Sequence, residues 1–316
     1  MSVFENVINE ANKKNEVNNV PPESVEVADE GEGKKSFPER MAEKKNQCYA
    51  MIDDACLNAV SSIESLRQFL NVQSRFDKYS LNNALLIFEQ KPDAVKLKEL
   101  AAWNKEDISV KKGAKSIMIL EPSPYKGTDG KMHRGYNAKH VFDIADVEAP
   151  EDAIPQPKSY EQKQLVAALV HDAPVSVRKA EHSLGEHDAI YDAKNKVVYF
   201  KAGLEFDTIF SAIAKALAHA EMAKDVENYR IGEHEFAARC SAYVISQRYG
   251  VDTRTVDVYG IPKNIETMEA EDVKKVLGDV HSNVKSINAR MIESLEQNQG
   301  KEQQTPNKGS KNREER

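Results

Sequence analysis

The chain has 316 residues, 40% hydrophobic and 30% charged, with a formal net charge of −7. That length suggests two domains of ~100–200 residues each, and that charge excludes a protein that coats duplex DNA through a generally basic surface. No run approaches the ~20 apolar residues of a bilayer crossing, the opening MSVFENVINEANKKNE has no apolar signal core, and the three cysteines, Cys48, Cys56 and Cys240, show no C-x-x-C spacing. The expectation is a cytoplasmic protein with no membrane partner, disulfide framework or cysteine zinc site. The charge is uneven: residues 41–150 carry one more base than acid, whereas residues 151–297 carry six more acids than bases.

Residues 1–40 are polar, lack periodicity and contain a Pro21-Pro22 break, which reads as a disordered tail. From Glu43 the pattern is helical: Tyr49, Ile52, Cys56, Val60, Ile63 and Leu66 recur at spacings of three and four and form one apolar face. A second helix is expected over Asn82–Gln90, with Ser80 as its N-cap and Pro92 beyond its end. A short third helix is expected over Leu97–Trp103. A Lys111-Lys112-Gly113 turn leads into a buried strand at Ile117–Leu120, ended by Pro122 and Pro124. PYKGTDGKMHRG reads as a hairpin or loop in which His133 is solvated, and AKHVFDIADV as the returning strand. Residues 148–158 hold three prolines and three acids and read as a linker.

The second half opens with a helix at Tyr160–His171, then a short β region at Val175 and Val177. DAIYD and VVYF follow, joined by a turn at residues 193–196. Helices are expected over Phe206–Ala223, Glu233–Tyr249 and Ile265–Glu296, and residues 298–316 read as a second disordered tail. The fold class expected is α+β in two domains, 41–147 and 159–297.

Two constellations carry chemistry. FDTIFSAIAKALAHAEMA follows a strand and a Gly203 turn, the order in which a zincin places an H-E-x-x-H helix with two zinc-binding His and a Glu base. The five equivalent residues here are Lys215-Ala216-Leu217-Ala218-His219. A protonated Lys cannot coordinate zinc, and Ala216 cannot take a proton from water. The third ligand position aligns with Ala237. Lys215 would supply positive charge where zinc would sit, paired with Glu233 or Glu235, or would simply be a solvated helix residue. A metal set of His219, His234 and Glu235, with Cys240 nearby, is weak because adjacent residues of a helix face different ways. His182 and His187 read as surface imidazoles. The second constellation gathers Arg75, Lys78, Tyr79, Asn82 and Asn83 at a helix start, with Trp103, Lys111, Lys112 and Lys115 following. Cations beside aromatics suit single-stranded nucleic acid, although Tyr79 and Trp103 serve equally well as core residues. No phosphate-binding glycine loop and no G-x-S-x-G occurs.

The run Tyr79-Ser80-Leu81-Asn82-Asn83, Leu85-Leu86-Ile87 and Gln90-x-Pro92-Asp93-Ala94 resembles the N-terminal domain of ArdC-type antirestriction proteins. So do Trp103, Val110-Lys111-Lys112-Gly113, Ile117–Pro122 and Val141-Phe142-Asp143-Ile144. Leu81 stands where that family often has Trp. Ala189-Ile190-Tyr191-Asp192, Val197-Val198-Tyr199, Gly203-Leu204, Leu217-Ala218-His219-Ala220, Ala242-Tyr243 and Gly250-Val251-Asp252 resemble the family's metallopeptidase-like domain. The resemblance implies a single-stranded DNA-binding domain followed by a zincin-like domain, on a mobile element that protects its DNA from host restriction. Lys215, Ala216 and Ala237 stand where the family has His, Glu and Glu, so a catalytic residue, a metal site and a cofactor are not expected. Two rival readings stay open: a protein-binding pseudoenzyme whose partner is a host restriction or regulatory protein, and a zinc peptidase with another ligand set around His219.

Overall fold

In the computed structural model, residues 36–304 are described apart from Pro157, Asp225 and Asp257, with side chains described as far as residue 297. Of the expected disordered tails, 1–40 and 298–316, residues 1–35 and 305–316 lie outside these, whereas residues 37–40 are helical. The described residues from Arg40 onward belong to one compact unit; of the N-terminal unit, residues 1–39, only Ser36–Glu39 are described, where Glu39 accepts a hydrogen bond from the Ser36 amide.

Helix α1 spans Phe37–Ala59 and α2 spans Ile63–Arg75. The three-and-four spacing therefore runs through a break: Ser62 caps α2 by accepting the Ser65 amide at 3.1 Å. A hydroxyl at that position gives the chain a helix start that competes with continuation. Helix α3, Leu81–Gln90, is capped by Ser80. Leu97–Lys98 is not helical, as the apolar spacing suggested, but forms strand β1, paired antiparallel with β5, Tyr136–Asp143; helix α4 is only Leu100–Asn104. The Asp143 carboxylate decides this, accepting the Val95 and Lys96 amides and pinning that chain to the end of β5. Strand β2, Ile117–Pro122, lies on the other side of β5, giving the antiparallel order β1-β5-β2. Strands β3, Tyr125–Lys126, and β4, Met132–His133, make a small hairpin between β2 and β5. Gly130 at φ +76° supplies its left-handed turn residue.

Asn83 is buried, and its amide both accepts from the Leu120 N–H and donates to the Leu120 carbonyl, at 2.8 and 2.9 Å. This fixes α3 on β2. Asn83→Leu is expected to leave both backbone groups unpaired and to cost about 2–3 kcal/mol in a denaturant titration; a loss under 0.5 kcal/mol would mean the pair does not hold the helix in place.

Helix α5, Gln162–Val170, precedes β6, Ser176–Lys179, β7, Ala189–Asp192, and β8, Val197–Phe200. β8 is central, parallel to β6 and antiparallel to β7. Gly203, at φ +79°, turns the chain into α6, Phe206–Met222, and α7, Ile231–Arg248, follows. A short α8, Lys263–Glu266, is separated from α9, Ala270–Gln304, so the predicted last helix is two helices, and its backbone continues past residue 297 into the stretch read as tail. One apolar core joins Ile52, Phe69 and Leu86 to Phe210, Leu217, Val244 and Leu277. No described helix is long and apolar enough to cross a membrane. The architecture is α+β.

Candidate functional site

The cluster read at the start of α3 is divided by the fold. Lys78, Tyr79, Ser80 and Asn83 line a groove of about 560 Å³ whose other walls are Leu97 to Glu99, Ile119 to Pro122, Tyr136 and Lys139. Arg75 lines a different cavity, 410 Å³ in volume. Its guanidinium donates to the Ala94 carbonyl at 2.8 Å and to the Pro92 carbonyl. Asn82 is half-buried on α3 and lines neither.

Trp103 is a correction. It is fully buried, packed with Ile108, Ile144 and Val147, and its indole N–H donates to the Phe142 carbonyl at 3.1 Å. A ring enclosed in this way offers no face to a base; burying that much apolar surface outweighs leaving it exposed for stacking. Asn83 is likewise spent on Leu120. As the chain has one Trp, its emission should be that of a buried indole and should change by less than about 10% when an oligonucleotide binds, since stacking needs an accessible ring face; strong quenching on titration would place a base against it. Lys111, Lys112 and Lys115 are exposed beyond the Ile117 end of β2, whereas the groove takes the Ile119–Pro122 end. Lys111 Nζ donates to the Ala145 carbonyl at 2.9 Å.

The groove holds cations and acids together. Lys139 Nζ lies 2.5 Å from Glu99 Oε1 and 2.6 Å from Glu121 Oε1. Burial opposes its charge, but the two carboxylates prevail and hold its pKa above the usual value. Lys98 is paired with Glu106 and stands 4.7 Å over the Trp103 ring. Burial pushes the Tyr79 phenol up.

The Pro122 and Tyr136 wall continues directly into the β3–β4 hairpin. Between Ser123 and His140 the sequence places Lys126, Lys131, Arg134 and Lys139 against one acid, Asp129. Tyr125 (57% exposed), Met132 and Tyr136 stand out from it. Tyr125 stacks on His133 at 5.6 Å, and His133 Nε2 meets Asp129 Oδ1 at 2.9 Å. Among the described residues, Lys126, Lys131 and Arg134 make no ion pair. The sequence reading took this run for turn signals alone; its alternation of cations with aromatics was the signal available.

On α6 and α7, Glu235 is the acid that meets Lys215. Its Oε1 accepts from Lys215 Nζ at 3.0 Å and Arg239 Nε at 2.8 Å, and its Oε2 meets His219 Nε2 at 2.9 Å. Glu233 instead pairs with Arg230 on the surface. His219 is buried, with Nδ1 2.7 Å from the Tyr229 hydroxyl. A carboxylate only accepts, so Nε2 donates to it, and both ring nitrogens are engaged within the cluster. Burial disfavours the Glu235 carboxylate, yet the bonds from His219 and Arg239 and the charge of Lys215 overcome this and hold its pKa far below the usual range. Burial, with the charges of Tyr191 and Glu235, pushes the Tyr229 phenol up. Ala216 and Ala237 are buried helix residues, and the acid that reaches His219 is Glu235. His234 stacks on Tyr229 at 4.7 Å, and Cys240 is enclosed, its thiol pushed up to about 12 by burial. Among the described residues, no three His, Cys, Asp or Glu side chains are grouped to hold a metal ion. Arg239, four residues after Glu235 on one helix face, was legible from spacing and was missed.

No family model matches the sequence, and no curated protein matches it. Among solved structures the chain is similar to the antirestriction ArdC protein from the R388 plasmid. Its metal-free crystal structure matches with a TM-score of 0.46 and 11% identity, over 68% of this chain and 85% of that one. Its Mn(II)-bound crystal structure matches with a TM-score of 0.46 and 11% identity, over 72% of this chain and 97% of that one.

Proposed function

We propose that the protein binds single-stranded DNA along the groove and the β3–β4 hairpin, as the DNA-handling, antirestriction component of a mobile element, and that its second half is a metallopeptidase-like domain without catalysis. The observation that carries the reading is the hairpin: exposed aromatics alternate with cations whose charge no neighbouring acid cancels, on a protein of net charge −7. Bases stack on such rings whatever their sequence, and phosphates follow the cations. The residues shared with ArdC-type proteins between Tyr79 and Ile144 support the same reading. Lys78, Tyr79 and Tyr136 extend the path into the groove, where Lys139 is held between two acids. Lys111, Lys112 and Lys115 belong to the proposal as a second strip of cations at the other end of β2.

The Glu235 cluster supports the non-catalytic part. Lys215 and Arg239 bring positive charge to one carboxylate, so that carboxylate is engaged where a hydrolase would need a free base and an open metal position. Fluorescence anisotropy with labelled single- and double-stranded oligonucleotides, titrated across salt, tests the binding. Single-strand preference with affinity falling linearly in log[salt] is expected. No binding to either form would move the assignment to a protein partner, with the acidic residues 151–297 as the place to look.

A further inference from the structure

The cavity that receives Arg75 has a composition of its own. It is lined by Arg75, Lys158 and Arg248, by the rings of Tyr160 and Tyr249, and by the apolar side chains of Ile292 and Leu295, with Glu296 the one acid in its wall. Its 410 Å³ is in the range of small-ligand sites. Arg248 is paired with Asp77, which leaves Arg75 and Lys158 against one carboxylate, a local excess in a protein that is acidic as a whole.

Two of the three cations, Arg75 and Lys158, keep their charge. Arg75 is anchored by the carbonyls of Ala94 and Pro92, neutral acceptors that fix the guanidinium and leave its charge. Arg248 holds Asp77 at 3.2 Å on one side and the Gln73 carbonyl at 2.9 Å on the other, while its buried Nε has no acceptor among the described residues. Arg donates in a planar fork suited to phosphate oxygens, and Arg75, held only by neutral carbonyls at the cavity wall, is the phosphate-binding element here. Lys158 is exposed and makes no ion pair among the described residues.

The aromatic side complements this. Tyr160 and Tyr249 lie 6.2 Å apart, tilted by 57°. The Tyr249 hydroxyl donates to Asn288 Oδ1 at 2.8 Å, which fixes the ring. Asn288 is buried to 5% exposure, and among the described residues its amide N–H₂ has no acceptor. A fixed ring, an aliphatic floor and a spare amide donor next to cations suit a planar heterocycle bearing a phosphate.

We infer that this cavity binds a nucleoside monophosphate group, with the phosphate on Arg75 and Lys158 and the base against Tyr160 and Tyr249. Two sources share that chemistry: a free nucleotide and the 5′-phosphorylated end of a single strand. The inference stands apart from the groove and hairpin, which Lys158 and Arg248 do not line.

The test is calorimetric titration of the full chain with thymidine 5′-monophosphate, thymidine and inorganic phosphate, and of Lys158→Gln with the monophosphate. The monophosphate should bind at least ~10-fold more tightly than thymidine or phosphate alone, and Lys158→Gln should weaken it ~3–10-fold with unchanged circular dichroism. Equal affinity for thymidine, no heat of binding, or an unaffected Lys158→Gln would overturn the inference. A 5′-phosphorylated oligonucleotide preferred over its 5′-hydroxyl form, and displaced by the monophosphate, identifies the strand end as the source; no preference identifies the free nucleotide. Gln substitutions on the hairpin should leave monophosphate binding intact, so failure of the hairpin and failure of this cavity give different results.

Discussion

Replacing Lys126, Lys131 and Arg134 together by Gln is expected to weaken single-strand binding by about 10–100-fold at low salt and to flatten its salt dependence. Each phosphate neutralised on a single strand contributes ~0.7 to the slope of log K against log[salt], so losing three contacts lowers it by about 2. The hairpin is exposed, and its turn is set by Gly130, so the fold should survive. Tyr125→Ala should weaken binding by a further ~1–3 kcal/mol without changing the slope, because stacking releases no counterions. The comparison is Lys111→Ala with Lys112→Ala at the far end of β2. An unchanged slope in the triple variant with a flattened one in the lysine pair would move the strand to that end of the sheet.

The largest effect on stability should come from Glu235→Ala. One carboxylate accepts from Lys215, Arg239 and His219, and Glu235 is 26% exposed. Removing it takes the carboxylate away from Lys215 and from a buried imidazole, and breaking such a pair from one side costs ~3–5 kcal/mol when fully buried. With this partial exposure about 2–4 kcal/mol is expected, roughly 5–10 °C in Tm for a chain of this size. The pH dependence has a definite sign. The folded-state pKa of Glu235 lies below its unfolded value, so its contribution is fully present above the ordinary carboxylate range. It is lost as pH falls through and below that range. Glu235→Ala should therefore lie well below the native protein at pH 7 and converge on it in acid. A Tm within 1 °C of the native value at pH 7 would show that solvent already screens the cluster.

Much of the secondary structure was legible in the sequence because its signals are local. Ser80 before Leu81, Pro92 after Gln90, Gly203 before Phe206 and the apolar alternation of Val197–Tyr199 each act within a few residues. They depend on backbone sterics and caps that any fold must satisfy. Leu97–Trp103 failed for the opposite reason: its apolar spacing suits a helix, but the Asp143 carboxylate, more than forty residues away, holds the preceding amides and draws Leu97 into the sheet.

The sites divide in the same way. That Lys215 and Ala216 lack zincin chemistry follows from the identity of the residues. That Glu235 rather than Glu233 faces Lys215 depends on how α7 is rotated against α6, a matter of packing between elements. Arg75, Lys78 and Tyr79 are neighbours in sequence, yet α2 ends between them and sends Arg75 to one cavity and the other two to another. Trp103 could equally be a stacking platform or a core residue by composition, and only its enclosure by Ile108, Ile144 and Val147 decides for the core. Composition and spacing determined which chemistries the chain can perform; long-range packing decided which side chains meet, because a meeting between distant residues is set by the sum of all contacts rather than by any local run.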